Sequence, residues 1–338
     1  MENLILTFDT KKLELQSDNS LIFETTFPKL DEIIKNSFAE LSKLKEIQQF
    51  CSDSKNSKKQ RNKMFYEHEE NVKTNIYPAI NKEISIYIPE WSELMEVNNG
   101  HVNCHTLNVI YCISQDKEYQ ALDNFNQNVL KWAGLLHDLK KLSYPFIEGK
   151  DHMHPFKSGK ACLEIFQRLG LIVIRNQVDY QEFTRLLELI DQSKQPVPYW
   201  MSRKFEKDKI YCTEMHSHDY LSDIFTILWN LFAPRGSFVD LVFRLVFFHQ
   251  SLCGIKEIPP MIQLNTEQQL IYCDVVFLKL IKILMKNDSL SYMYVYDYEG
   301  CKDQYMQEFE ESNTSTLEEW LKKQVLLEAK YKCCCQQN

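Results

Sequence analysis

Nine histidines occur in this chain of 338 residues, and several of them gather around one acidic residue. His137 and Asp138 are adjacent at the end of the apolar run Trp132-Ala-Gly-Leu-Leu. His101 and His105 precede the pair, the latter by about 32 residues, and His152 and His154 follow in the turn Asp151-His-Met-His-Pro-Phe-Lys-Ser-Gly159. Neutral imidazoles and carboxylates are what a protein offers a divalent transition metal when thiolates are not used, and a catalytic centre leaves positions open for water or substrate. A lone histidine on an apolar helix face is ordinarily a hydrogen-bonded core residue. A carboxylate directly after one such histidine, with more histidines in the neighbouring helix and turn, favours a ligand set, so His105, His137 and Asp138 are candidate ligands from two helices.

Other residues extend this set or compete with it. Lys141, three positions after Asp138, either faces negative charge in the site or caps a helix C-terminus, where the macrodipole favours cations. Asp274 and Asp288 can each close the set. The pattern places them on one long helix, 14 residues apart, which is nearly four turns and about 21 Å, so only one can serve a given centre. His249 ends a run that is apolar nearly all round, where a core histidine is the plain reading. His216 and His218 fall in a segment read as an insertion. Cys104 and Cys112 suggest small buried side chains more than a nucleophile. No Gly-rich phosphate loop and no G-x-S-x-G is present.

The elements that must carry these residues are mostly helices. Residues 1 to 26 alternate in short runs such as Leu4-Ile-Leu-Thr-Phe8, which predicts a small β element. From Leu30 the period becomes helical. A loop is predicted from Ser52 to Lys63, then a helix from Lys63 to about Ile76, stopped by Pro78. Glu83-Ile-Ser-Ile-Tyr-Ile88 alternates like a strand. One helix should carry His105, Val109 and Ile113, and another, from about Asn126 to Lys141, Val129, Ala133, Leu136 and His137. Further helices are predicted from Lys160 to Gly170, over 181 to 192, over Phe238 to His249, which should be buried on most sides, and from Thr266 to Asn287. A last one should start near Ser315 and reach about Tyr331; Thr266-Glu-Gln-Gln269 and Ser315-Thr-Leu-Glu318 have capping-box form. The expected fold class is mainly α: a helical domain over 96–300 interrupted by an insertion at about 193–237, an N-terminal β/α region over 1–95 packing on it, and a C-terminal helix and tail over 301–338.

The order His105, then His137-Asp138, then a distant aspartate resembles the HD superfamily of metal-dependent phosphohydrolases, over roughly residues 96 to 300. His101-Val-Asn-Cys-His105-Thr-Leu-Asn-Val is similar to the stretch of cyclic-nucleotide phosphodiesterases in which a general-acid histidine lies four residues before the first ligand histidine. Lys141 stands where many members have a phosphate-facing lysine, with Lys140 in place of the usual glycine. His154-Pro-Phe-Lys-Ser-Gly159 resembles the turn that supplies a second-metal ligand. The resemblance implies an HD-type helical bundle in which His105, His137, Asp138 and Asp288 hold a metal, Asp138 bridging to a second one held by His154 and His249. Asp288, followed by Ser-Leu-Ser-Tyr, is similar to the end of the family's last core helix; Asp274 is the reserve. His101, Lys141 and Asp138 would be the catalytic side chains, and the cofactor one or two ions of Fe, Mn, Zn, Co or Ni. The implied reaction is hydrolysis of a phosphoester, of a nucleotide or other small phosphorylated molecule. The same six ligands also resemble the di-iron oxygenases of the superfamily, and a non-catalytic ligand-binding or scaffold protein of this fold is a third possibility.

Bulk properties exclude other classes. A net charge of −8 argues against nucleic-acid binding through a basic face, and the basic stretch Lys55–Lys63 reads as a solvated surface. Eleven cysteines without regular spacing suggest no disulfide framework and a reducing, cytoplasmic-type compartment. No apolar run is long enough for a membrane span. Cys335 sits at a prenylation spacing, but Gln-Gln-Asn is a poor match and a frayed terminus is the expectation.

Overall fold

The computed structural model describes residues 30–53, 55–98, 100–142, 151, 153–192, 194–196, 214–216, 218–250, 252, 262, 264–291 and 301–335. The β element expected over residues 1 to 26 lies outside them. The described residues are mainly helical. In chain order the helices are α1 (Leu30–Leu41), α2 (Lys43–Ser52), α3 (Lys58–Asn71), α4 (Tyr77–Ile84), α5 (Glu90–Asn98), α6 (His101–Gln115), α7 (Lys117–Gln120) and α8 (Asn124–Leu136). Then come α9 (His154–Arg168), α10 (Gln177–Gln192), α11 (Leu221–Ile227), α12 (Phe238–Phe248), α13 (Thr266–Tyr272), α14 (Val275–Leu290) and α15 (Cys301–Cys335). Between α10 and α11 a short antiparallel ribbon pairs Lys194–Pro196 with Glu214–His216.

Local chemistry sets the starts of the helices that matter. Gly100 enters α6 with φ of 75°, a left-handed conformation that an L side chain rarely adopts. Asp123 caps α8 by accepting from Asn126 N–H, Ser237 caps α12 from Asp240 N–H, and Asp274 caps α14 from Phe277 N–H. Pro155 sits in the first turn of α9, where no donor is lost. All eleven residues of α12 are buried, and α8 and α9 pack on it from the sides while α14 closes against α6, α12 and α15. Gly159 allows the tight approach of α9 to α12: a Cβ there would lie 3.0 Å from Phe247 Cδ2. One hydrophobic core runs from Ile34 to Leu317, so α1–α5 pack on the same body as the helices around His137.

Several local expectations give way to packing. Glu83–Ile88 is no strand: Ile80, Ile84 and Ile88 are buried at four-residue spacing across the end of α4, whereas Ile86 is 80% exposed. The alternation is a by-product of that spacing. Pro78 does not stop a helix but starts α4, after a π-helical turn over Val72–Ile76. The loop predicted over Ser52–Lys63 ends early because Ser57 and Gln60 form a reciprocal capping box that starts α3 at Lys58. The helix expected from Thr266 to Asn287 is two helices, broken at Cys273. Its first part is capped by Asn265 with Gln268. The last helix begins at Cys301, fourteen residues before Ser315, and continues through Cys335. Residues 221–232, placed by sequence in an insertion, bury Leu221, Ile224, Phe225 and Leu228 in the core. No helix among the described residues is long and apolar enough to cross a membrane.

Candidate metal centre

Five elements bring six ligand-type side chains to one point in the interior. His105 comes from α6, His137 and Asp138 from the turn that ends α8, His154 from the first residue of α9, His249 from the residue after α12, and Asp288 from the last turn of α14. His137, Asp138, His154 and His249 are fully buried or nearly so. The side chains form two groups of ligand atoms, His105/His137/Asp288 and Asp138/His154/His249, each within 4.8 Å. Asp138 stands between them. Its Oδ1 is 2.9 Å from His154 Nε2 and 3.6 Å from His249 Nε2. Its Oδ2 is 3.4 Å from His105 Nε2 and 3.5 Å from His137 Nε2. Asp288 Oδ1 completes the first group at 2.9 Å from His105 and 3.7 Å from His137.

Proton bookkeeping shows what this arrangement asks for. His137 Nδ1 donates to Gly134 O at 2.8 Å, His249 Nδ1 to Val246 O at 2.7 Å, and His154 Nδ1 to Asp151 O. A neutral imidazole has one N–H, so each of these rings presents a bare lone pair at Nε2. Yet His154 Nε2 and His249 Nε2 are 3.1 Å apart, and both face a carboxylate oxygen. His137 Nε2, Asp138 Oδ1 and Asp288 Oδ1 are buried without a hydrogen-bond partner. Lone pairs facing one another in the interior are unfavourable unless a proton, a water or a metal ion lies between them. Burial disfavours the proton: it pushes the His137 imidazole down to about 4 and lowers His154 as well. Burial also pushes the Asp138 and Asp288 carboxyls up. That push is outweighed at Asp138 by Lys141, His137 and His154, and at Asp288 by His105 and His137, so both stay below the usual carboxylate range. Neutral imidazoles beside ionised carboxylates are the protonation states a divalent metal requires.

The centre has a partly exposed side. The His105 side chain is 10% exposed and Lys141 is 20% exposed. Lys141 Nζ reaches Asp138 Oδ2 at 2.6 Å, on that open side. His101 lies one turn before His105 on the same face of α6, 40% exposed, with Nδ1 donating to the Glu69 carboxylate of α3 and its ring edge-on to Phe65. The N-terminal helices therefore reach the rim of the centre.

Other sequence candidates fall elsewhere. Asp274 accepts from Arg244 Nη1 at 2.7 Å, and Arg244 in turn holds Asp240 and Tyr272 O. It belongs to a buried ion network that joins α12 to the start of α14, and it caps α14, so it is no metal ligand. His152 lies outside the described residues, and of His216 only the backbone, in the second ribbon strand, is described. His218 begins a single 3₁₀ turn, and only its backbone is described. Cys104 and Cys112 are thiols that burial pushes up, which disfavours the nucleophilic thiolate. Sequence reasoning missed Glu69, Asp151 and Ser291. Backbone carbonyls such as Asp151 O leave no trace in composition; Ser291, three residues after Asp288, is a spacing that a helix would have made legible.

Fold and site together define a mainly helical protein with a buried His/Asp cluster able to hold a metal ion. No protein-family model, curated protein or solved structure matches the chain.

Proposed function

We propose that this chain is a metal-dependent phosphohydrolase of the HD type, acting on a nucleotide or another small phosphorylated molecule. The observation that carries the reading is the Asp138 carboxylate, which turns one oxygen to His105 and His137 and the other to His154 and His249. His105, His137, Asp288 and Asp138 would hold one divalent transition ion, and Asp138, His154 and His249 a second. Such ions, when bound, supply Lewis acidity and bring the pKa of a coordinated water toward neutrality.

The chain's own groups then divide the remaining work. Lys141, on the open side, balances charge on the phosphoryl oxygens. His101, its ring oriented by Glu69, gives a proton to the leaving oxygen. His137, His154 and His249 seal the far side from solvent. A cation and a proton donor at the opening suit phosphoester cleavage better than the oxygenase chemistry that the same ligands can support. The test is metal analysis of the purified chain, followed by a screen of phosphomonoesters, nucleotides and cyclic nucleotides with that metal restored. His137→Ala combined with Asp138→Ala should remove both metal and hydrolysis; unchanged metal content in that variant would sink the assignment. Bound iron with substrate-dependent oxygen consumption and no phosphate release would select the oxygenase instead.

A further inference from the structure

The four histidines of the centre are not held alike. His137, His154 and His249 each give Nδ1–H to the backbone carbonyl three residues earlier, and no side-chain substitution removes a carbonyl. His105 instead meets a side chain: Ser291 Oγ lies 2.9 Å from its Nδ1. The same Oγ is 2.6 Å from the backbone oxygen of Asp288. Two oxygens that close need a proton between them, and a carbonyl can only accept. The single hydroxyl proton of Ser291 is therefore committed to Asp288 O, and its oxygen must accept from His105 Nδ1–H. This fixes the His105 tautomer with its lone pair at Nε2, facing Asp288 Oδ1 and Asp138 Oδ2.

Ser291 is 1% exposed, so bulk water has no access to replace it. Asp288 is also steered by a side chain, Gln250 Nε2 lying 3.4 Å from its Oδ2. We propose that Ser291 is the positioning residue of the His105/His137/Asp288 cation position, and that the two positions are separable for this reason. In the first, His105 depends on a side-chain hydroxyl; in the Asp138/His154/His249 position both histidines depend on backbone carbonyls. This inference rests on the metal-centre reading above. Hydrogen-bond partners of ligating histidines change metal affinity by roughly 10- to 100-fold when lost, and that is the size of effect expected on one position only.

The experiment is a Co²⁺ titration of the full chain after chelator treatment, followed by calorimetry and by the visible absorption of the bound ion. Wild type should take up two ions per chain. Ser291→Ala should weaken one binding step roughly 10- to 100-fold and leave the other unchanged, and Ser291→Thr, which keeps the hydroxyl, should restore it. If the Ala variant does not fold, Ser291→Thr against Ser291→Val makes the same comparison in isosteric side chains. Two unaltered steps in the variant without hydroxyl would overturn the proposal. So would equal weakening of both steps, or weakening that the hydroxyl does not rescue. A wild-type chain that takes up no Co²⁺ would instead overturn the metal-centre reading, and this proposal with it.

Discussion

Asp138→Asn changes almost no volume and removes the one group that touches both halves of the centre. It should lose metal from both positions and yet stabilise the protein when no metal is present. The amide offers donors where the carboxylate has none. His154 Nε2 is 2.9 Å and His249 Nε2 3.6 Å from Oδ1, and His105 and His137 are at 3.4 and 3.5 Å from Oδ2, so either amide orientation gives one lone pair an N–H. Satisfying a buried polar atom recovers about 1–3 kcal/mol. Lys141 loses the Asp138 carboxylate, but its side chain is partly exposed and can reach water. For a chain of 338 residues, unfolding entropy of about 2.1 cal/mol/K per residue gives about 0.7 kcal/mol per kelvin. The variant should therefore melt about 1–4 °C above wild type in chelator. With metal at about 100 to 1,000 times its dissociation constant, wild type gains about 2.7–4.1 kcal/mol, or about 4–6 °C, and the variant gains little. The order of the two melting curves should reverse between chelator and Co²⁺, as read by scanning calorimetry. A variant that gains as much from metal as wild type, or one several kcal/mol less stable in chelator, would refute the argument that this carboxylate is kept for a cation.

Three further outcomes follow from other parts of the fold. Burial pushes the Asp274 carboxyl up, but Arg244 and Arg235 outweigh that and lower it from its ordinary 3.8. A carboxyl depressed in the folded state contributes fully above its unfolded pKa and loses that contribution as pH falls through the folded value. Asp274→Asn should thus cost about 1–3 kcal/mol at neutral pH by weakening the buried Arg244 network, and the gap to wild type in urea melts should narrow below about pH 4; a gap constant with pH would contradict this. Gly159→Ala puts a methyl 3.0 Å from Phe247 Cδ2 and 3.3 Å from Phe243 Cε2. The expected cost is about 1–3 kcal/mol of strain, offset in part by up to about 1 kcal/mol of helix propensity, so a melting temperature above wild type would show that α9 and α12 are not this close. If His101 is the proton donor, Glu69→Gln should lower kcat by up to about 100-fold with metal content unchanged; an unaltered kcat would remove Glu69 from the reaction.

What the sequence made legible was the part of the structure governed by local pattern. The helices that carry His105 and His137 could be read from apolar periodicity, and the one that leads to His249 from a run apolar on every side, all of which is buried. The cluster itself was visible as polar residue types breaking those stripes. What pattern could not reveal was set by tertiary contact. Nothing near Asp274 tells that Arg244, thirty residues earlier, holds both it and the carbonyl before the break between α13 and α14. On a continuous helix Asp288 was preferred and Asp274 stayed in reserve; the break makes Asp274 a cap and leaves Asp288 a buried carboxylate beside two imidazoles. Glu69 was invisible for the same reason, since its partner His101 lies 32 residues away. Ile84, Ser85 and Ile86 misled because alternation over six residues is also what the end of a helix produces when only every fourth residue is buried.

The central claim is that the six side chains hold divalent cations, and anomalous X-ray diffraction from crystals of the Co²⁺-loaded chain tests it most directly. The account predicts two anomalous peaks, one among His105, His137, Asp288 and Asp138 Oδ2, the other among His154, His249 and Asp138 Oδ1. No peak within bonding distance of Asp138, or an ion bound elsewhere with these side chains unchanged, would contradict it.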